Sequence, residues 1–162
     1  MQKSIITIPE KKLVGITTRT SNKDEFDPSK SKIGTMMQSY WQNAISDKIL
    51  NRKNPGTTIC AYMDYESDYT GRYTYFIGEE VSSFTSVTGN LVEIIILAQT
   101  YCKFTTTKGI MPKIIIDAWL KIWQMNDQDF GSKRAYLADY EVYDQRAIDP
   151  NNAVVDIYIG II

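Results

Sequence analysis

Hydrophobic and polar positions along the chain follow strand-like and helix-like periods in an order that occurs twice. The first half predicts two short strands broken at Pro9, a polar loop, an amphipathic helix and a two-stranded hairpin. In order, these elements cover residues 4–20, 21–32, 33–49, and 57–65 with 72–81. In the helix, apolar side chains recur at spacings of three and four, from Met37 through Tyr40 and Trp41 to Ile45. Asn-Pro and Pro-Gly at 54–56 mark the break before the hairpin.

The second half repeats this order. Its predicted elements are a broken strand pair, a helix and a second strand pair, at residues 93–109, 112–124, and 134–144 with 153–161. Pro112 suits the first turn of the helix. Short segments also echo each other between the halves: DYES at 64 and DYEV at 139, and YFIGEE at 75 and IYIGII at 157.

A repeat of this size predicts two units that pack about a pseudo-twofold axis, because neither can bury its apolar face alone. We place the units at about 1–81 and 91–162, joined near 82–90, within a single domain spanning 1–162. The predicted fold class is α+β. We expect an antiparallel sheet with one helix from each half packed on it, and a central cleft where the halves meet.

Composition narrows the function classes. The net charge of −1 and the lack of a polybasic block argue against nucleic-acid binding and against an anionic membrane as a partner. No apolar run approaches the ~18 residues that span a bilayer. The N-terminal residues lack the plan of a signal peptide, so the cytoplasm is the expected location.

The chain contains no histidine, which excludes a Ser-His-Asp or Cys-His apparatus and imidazole chemistry. Cys60 and Cys102 are far apart in sequence and lie in strand-like stretches, so we expect buried structural thiols. No metal-ligand cluster and no Gly-rich phosphate loop is visible, and we predict no cofactor and no metal. Any chemistry would fall to carboxylates, tyrosines, lysines or thiols.

Three segments together resemble the GyrI-like family: the helix IIIDAWLKIW, the ending DYEVYDQRAIDPNNAVVDIYIGI and the strand RYTYFIGEEV. This family includes the effector-binding domains of AraC-type and multidrug-sensing activators, and it also has stand-alone members. Gly160 stands where the family commonly has Pro. The resemblance implies that lipophilic, often aromatic and cationic molecules bind in the cleft between the halves. Because the two halves use all 162 residues, we expect a stand-alone module without a DNA-binding domain.

Glu141 is the main candidate residue, because a charge lies in the middle of a strand-like run of Tyr and Val. Strand alternation places Asp139, Glu141 and Tyr143 on one face. From the residues alone, these carboxylates could simply mark a solvated side of the sheet. The resemblance implies instead that Glu141 is the acidic residue of an aromatic pocket, which receives a positively charged guest.

Aromatic residues supply the other candidates for ligand binding. Trp119 and Trp41 lie on matching helices, where each could be core or cleft wall. Tyr143 and Tyr75 are expected pocket walls, and Tyr62 is a weaker candidate. Trp123, one turn beyond Trp119, is expected at the rim.

Three functions remain open at this point. The first is a binding module for small organic cations or aromatic molecules, acting by sensing or sequestration. The second, implied by the resemblance, is a hydrolase of strained electrophiles in which Glu141 activates water and Tyr143 assists the leaving group. The third is regulation of a protein partner, as in the gyrase-inhibitor branch of the family. An exposed strand edge could also pair two copies into a homodimer.

Overall fold

The computed structural model describes residues 1–162, and its eight strands form one antiparallel sheet. The strands are β1 (Gln2–Ile8), β2 (Lys11–Ser21), β3 (Thr58–Met63), β4 (Arg72–Val81), β5 (Val92–Ile96), β6 (Gln99–Thr105), β7 (Ala138–Tyr143) and β8 (Asp156–Ile161). Their order across the sheet is β1-β6-β8-β7-β3-β4-β2-β5. The predicted α+β class and the predicted antiparallel sheet are confirmed.

The strand order is symmetric about the junction of β3 and β7. Replacing each strand of one half by its counterpart in the other half gives the same order read backwards. The first strand of each half is exchanged: β1 pairs with β6 of the second half, and β5 pairs with β2 of the first. This exchange ties the two halves together at both outer edges of the sheet as well as at its centre.

Four α-helices accompany the sheet: α1 (Asn22–Glu25), α2 (Ile33–Gln42), α3 (Lys113–Gln124) and α4 (Asp127–Phe130). The prediction that the first long helix reaches residue 49 is wrong. Ala44 has a φ of 47°, a left-handed conformation that ends the helix, and a short 3-10 turn follows at Ile45–Lys48. No helix is long and apolar enough to cross a membrane.

Both predicted hairpin pairs form, β3 with β4 and β7 with β8. The strand predicted at 134–144 is shorter than expected, because Tyr136 adopts a φ of 50° just before β7 begins. The similar segments DYES and DYEV do not occupy equivalent structural positions. Asp64 lies in a turn with a φ of 50°, whereas Asp139 lies within β7. By contrast, the glycines of the similar segments YFIGEE and IYIGII, Gly78 and Gly160, both lie in strands.

The two faces of the sheet pack differently. One face carries α2 and α3, and its core divides into a cluster around Tyr40, Tyr75 and Ile77 and another around Trp119 and Ile157. The opposite face buries a third cluster, in which apolar residues of the edge strands β1 and β5 join those of the central strands. Because no long helix contributes to that third cluster, the sheet must curl to bury it.

Candidate functional site

A cavity of about 480 Å³ lies on the helix-bearing face, where the two halves meet. Of its 22 lining residues, 15 are hydrophobic, and both halves contribute to the wall. The lining residues used below are Asn22, Glu25, Phe26, Ser31, Ile33, Met37, Tyr62, Tyr65, Tyr69, Tyr73, Tyr75, Trp119, Trp123, Arg134, Glu141 and Tyr143. A mainly apolar cavity with a few convergent polar groups is the usual form of a small-molecule site.

Glu141 lies at the centre of the sheet, opposite Cys60 of β3 and Ile157 of β8. Its side chain is on the helix-bearing face and is only 3% exposed. The interpretation that this carboxylate marks a solvated side of the sheet is therefore wrong. Strand alternation along β7 correctly placed Asp139, Glu141 and Tyr143 on one face, but it could not show that helices cover that face.

Three neutral donors hold the Glu141 carboxylate. Oε1 accepts hydrogen bonds from the Tyr62 hydroxyl at 2.8 Å and from the Trp119 indole Nε1 at 2.6 Å. Oε2 accepts one from the Tyr143 hydroxyl at 2.6 Å. The donors come from β3, α3 and β7, so the carboxylate connects the central strands to the helix of the second half.

Burial raises the pKa of Glu141 above its ordinary value, although the hydrogen bonds from Tyr143, Trp119 and Tyr62 act in the opposite direction. No lysine or arginine forms an ion pair with this carboxylate. The site therefore holds a buried carboxylate. Hydrogen bonds from neutral donors stabilise its negative charge, but no cationic side chain pairs with it. A cation that enters the cavity would favour the ionised form and lower this pKa.

Asp139, the neighbouring carboxylate on the same face of β7, has a cationic partner within the protein. Asp139 is completely buried and pairs with Arg134, whose Nη2 lies 2.6 Å from Oδ2. Asp139 also accepts hydrogen bonds from the Tyr65 hydroxyl at 2.6 Å and from the Gly160 amide at 2.8 Å. Two buried carboxylates on one strand thus differ in charge balance: Asp139 has a cationic partner in the protein and Glu141 has none.

Aromatic rings surround Glu141. Tyr62 is the hub, with ring centroids 5.0 Å from Trp119, 5.4 Å from Tyr75 and 5.5 Å from Tyr73. Burial, followed by the nearby charge of Glu141, raises the pKa of Tyr62 and Tyr143 well above the usual tyrosine value. Both hydroxyls therefore remain protonated donors throughout the physiological pH range.

Five of the six predicted binding residues come together in this cavity: Glu141, Tyr143, Trp119, Tyr75 and Tyr62. Tyr62, the weakest candidate from sequence, makes direct contact with the carboxylate. Trp41 is the exception: it lies outside the cavity wall, 56% exposed, with its ring against Tyr40. It follows Met37 by a full turn of α2, beyond the last residue of that helix that lines the cavity. Trp123, expected at the rim, does line the cavity.

Sequence reasoning missed several lining residues. The segment 21–32, interpreted only as a polar loop, contributes Glu25 and Phe26 to the wall. The Glu25 carboxylate accepts hydrogen bonds from the amides of Lys32 and Ile33 and so holds the start of α2. Phe26, an isolated aromatic residue in a charged stretch, packs edge-on against Trp123 with centroids 6.1 Å apart. That isolated phenylalanine was the available signal.

Arg134 was also missed, because its partner Asp139 was interpreted as one of a pair of solvated carboxylates. Nothing in the spacing of these residues distinguishes a buried ion pair from a surface one. Cys60 and Cys102 are buried free thiols, as predicted, and Cys60 lies beside Glu141 on the neighbouring strand. No group of three or more Cys, Asp or Glu residues is arranged to hold a metal ion.

Comparison with known proteins agrees with this fold. The integron cassette protein VCH_CASS2 from the mobile metagenome of Vibrio cholerae is similar in structure, with a TM-score of 0.78 and 27% identity over 99% of this chain and 95% of that one. SAV2435, solved bound to tetraphenylphosphonium, has a TM-score of 0.75 over 100% of this chain and 94% of that one, at 14% identity. In sequence, YobU of Bacillus subtilis (strain 168) is 28% identical over 151 residues, covering 93% of this chain and 92% of YobU.

The family model described as "Cass2: Integron-associated effector binding protein" matches residues 4–161, nearly the whole chain. The match spans both halves of the sheet and every residue that contacts Glu141. The chain therefore belongs to the Cass2 family of effector-binding proteins, within the GyrI-like group that its sequence resembles.

Proposed function

We propose that this protein binds lipophilic organic cations in the cavity between its halves, with Glu141 as the counter-charge. One observation carries the proposal: a carboxylate that is 3% exposed on an aromatic cavity wall, with three neutral donors and no cationic partner. Burying an unpaired charge is costly, and natural proteins pair such groups unless something else compensates. A bound organic cation would compensate it.

The surrounding rings support the same ligand class. Tyr62, Trp119 and Tyr143 direct their polar hydrogens at Glu141, which leaves their ring faces for apolar contact. A ring face contributes about 0.5–2 kcal/mol to a bound cation, more when both are desolvated. Several such faces, together with one carboxylate, could support micromolar affinity, which corresponds to about 8 kcal/mol. The binding of tetraphenylphosphonium by SAV2435, at the same fold, is consistent with this ligand class.

The family and the cavity favour a sensing or sequestering role, in which binding itself is the activity. A neutral aromatic ligand would gain the apolar contacts but would leave the Glu141 charge uncompensated. An anion of the same shape would be repelled by Glu141 and by Glu25. Selectivity for charge sign, at constant shape, is therefore the property that defines the proposed site.

Tetraphenylphosphonium and tetraphenylborate test this property, because they have nearly the same size and shape and opposite charge. Calorimetric titration of the wild-type protein should give saturable binding of the phosphonium and no measurable binding of the borate. Equal affinity for the two ions would reject electrostatic selection by Glu141. Binding of neither ion would reject the proposed function.

A further inference from the structure

Arg134 is the one basic residue on the cavity wall, and the fold fixes it tightly. Its backbone bridges to Ile161 at the end of β8, and the next amide, that of Ala135, donates to Gly160 O at 2.8 Å. The guanidinium lies 4.3 Å from the Tyr136 ring centroid and 6.0 Å from that of Phe130. Its side chain is only 7% exposed. The orientation of its N–H groups is therefore set before any ligand arrives.

This guanidinium has more donors than the protein has acceptors for it. A guanidinium carries five N–H groups. Within the protein, Arg134 donates only from Nη2, to Asp139, while Nε is buried without an acceptor. Asp139 Oδ2 also accepts from the Tyr65 hydroxyl, and Oδ1 accepts from the Gly160 amide, so the other guanidinium donors have no acceptor on Asp139. Nη1 also makes no hydrogen bond within the protein and, unlike Nε, is not fully buried, so it is the donor that a ligand oxygen can reach. An oxygen acceptor beside Nη1 would be stabilising, because leaving a donor of a charged group unpaired is unfavourable.

Five other donors around the cavity already make hydrogen bonds within the protein, and the hydroxyls that do not, those of Ser31, Tyr69 and Tyr75, are uncharged. The hydroxyls of Tyr62 and Tyr143 and the indole of Trp119 donate to Glu141. The Tyr65 hydroxyl donates to Asp139, and that of Tyr73 donates to the Asn22 amide oxygen. A ligand oxygen that enters the cavity therefore finds its strongest uncommitted donor at Arg134.

Charge and spacing define what this donor would bind. Asp139 cancels the charge of Arg134, and Glu141 adds a negative charge to the same wall, so a neutral oxygen is favoured over an anion. Asp139 and Glu141 are two residues apart on one face of β7, a separation of about 7 Å along a strand. Because Arg134 Nη2 lies 2.6 Å from Asp139, we expect the two recognition points to be separated by about the length of one substituted benzene ring.

We infer that the cavity recognises its ligand at two points, a cationic centre at Glu141 and a neutral oxygen acceptor, such as a carbonyl, at Arg134. This inference rests on the proposed function and narrows its ligand class. The preferred ligand is a polar-ended aromatic cation rather than a purely hydrocarbon one. Arg134 is a specificity-determining residue in this account, and Glu141 supplies the attraction common to all the cations.

A matched pair of ligands tests the inference. One is tetraphenylphosphonium with a para-acetyl group on one ring, and the other carries a para-isopropenyl group, which replaces the carbonyl oxygen by CH₂ at almost constant shape. We expect the wild-type protein to bind the acetyl compound about tenfold more tightly, which corresponds to about 1.4 kcal/mol. Equal affinities would overturn the inference, even if both compounds bind.

Variants assign the preference to Arg134. In the double variant Arg134→Met with Asp139→Asn, which removes both charges of the pair, the acetyl preference should fall to about one. The milder variant Arg134→Lys, which keeps the ion pair but loses the planar fork, should reduce it at least threefold and serves if the double variant does not fold. Arg52→Lys is the matched control, because Arg52 pairs with buried Glu79 away from the cavity, and it should keep the full preference.

The result also separates the two proposals. If the isopropenyl cation binds in a Glu141-dependent manner and the acetyl preference is absent or survives in both Arg134 variants, only the two-point recognition fails. If neither phosphonium binds the wild-type protein, the proposed function fails and the two-point recognition fails with it.

Discussion

The substitution Glu141→Gln removes the proposed counter-charge while keeping the shape of the side chain. The amide oxygen can still accept from Tyr62 and Trp119, and the Tyr143 hydroxyl can rotate to accept from the amide NH₂. The hydrogen-bonded arrangement should therefore survive. Because the substitution also removes a buried and unneutralised charge, we expect the free energy of unfolding without ligand to be unchanged or higher.

The effect on cation binding follows from Coulomb's law. At about 5 Å and an effective dielectric constant of about 20, a cation and a carboxylate attract each other by about 3 kcal/mol. Losing this term corresponds to a loss of affinity of about 100-fold. Calorimetric titration with tetraphenylphosphonium should show that loss for Glu141→Gln.

Glu79→Gln provides a matched control for this measurement. Glu79 is also buried, at 2% exposure, but it pairs with Arg52 and does not line the cavity. Its substitution should leave phosphonium affinity within about threefold of the wild type, since its distance from the ligand and its paired charge weaken any effect. If Glu141→Gln binds the phosphonium as tightly as the wild type, or if both variants lose affinity equally, the assignment of Glu141 as the counter-charge is refuted.

Three further predictions concern the same carboxylate and the sheet beneath it. Burial raises the pKa of Glu141, so the ionised form that attracts a cation is lost as the pH falls through that raised pKa. Phosphonium affinity should fall by about tenfold per pH unit below that pKa until it reaches the affinity of Glu141→Gln, whose own affinity should not change with pH. Tyr143→Phe removes the donor to Oε2, so the pKa of Glu141 should rise further and the midpoint of the affinity profile should move up by about one pH unit. Gly78→Ala should lower the free energy of unfolding by about 3 kcal/mol in urea titrations, because its Cβ would lie 2.2 Å from Val14 O, whereas Gly34→Ala on α2, with nothing within 4 Å, should not destabilise.

Without ligand, the contribution of Glu141 to the free energy of unfolding changes with pH in the direction opposite to its effect on cation affinity. The folded protein binds the Glu141 proton more tightly than the unfolded chain, because burial raises the pKa. The resulting stabilisation is fully present below the ordinary glutamate pKa and is lost as the pH rises through the raised value. Cation binding and ligand-free stability should therefore respond to pH in opposite directions over this interval.

Much of the fold followed from the periodicity of the sequence. The apolar stripes located α3 and the hairpins, and the repeat predicted the symmetric sheet with a cleft between halves. The exchange of β1 and β5 could not be predicted, because pairing partners in a sheet depend on contacts that sequence alternation leaves open. The early end of α2 depends on the left-handed backbone of Ala44, for which alanine carries no sequence signal.

The candidate site was only partly accessible from sequence. The position of Glu141 in the middle of a strand marked it as unusual, and the resemblance implied a use for its charge. Its burial depends on α3 lying over β7, which brings the Trp119 indole within 2.6 Å. Trp41 and Trp119 have similar patterns on matching helices, yet only Trp119 lines the cavity. The residues of α2 that line the cavity end at Met37, a full turn before Trp41.

The contrast between Asp139 and Glu141 was the part least accessible from sequence. The two residues have identical spacing patterns on β7, and both are buried. Only the three-dimensional position of Arg134, contributed by the segment after α4, gives one of them a partner and leaves the other without one. The proposed chemistry of the site depends on that difference.

A crystal structure of the protein with tetraphenylphosphonium tests the central claim most directly. The account predicts that the phosphorus lies within about 6 Å of the Glu141 carboxylate, at a distance where opposite charges interact strongly, with phenyl rings against Tyr62 and Trp119. The hydrogen bonds of these two residues to Glu141 should be retained. A phosphonium bound outside the cavity, or bound inside it closer to Glu25 than to Glu141, would contradict the account.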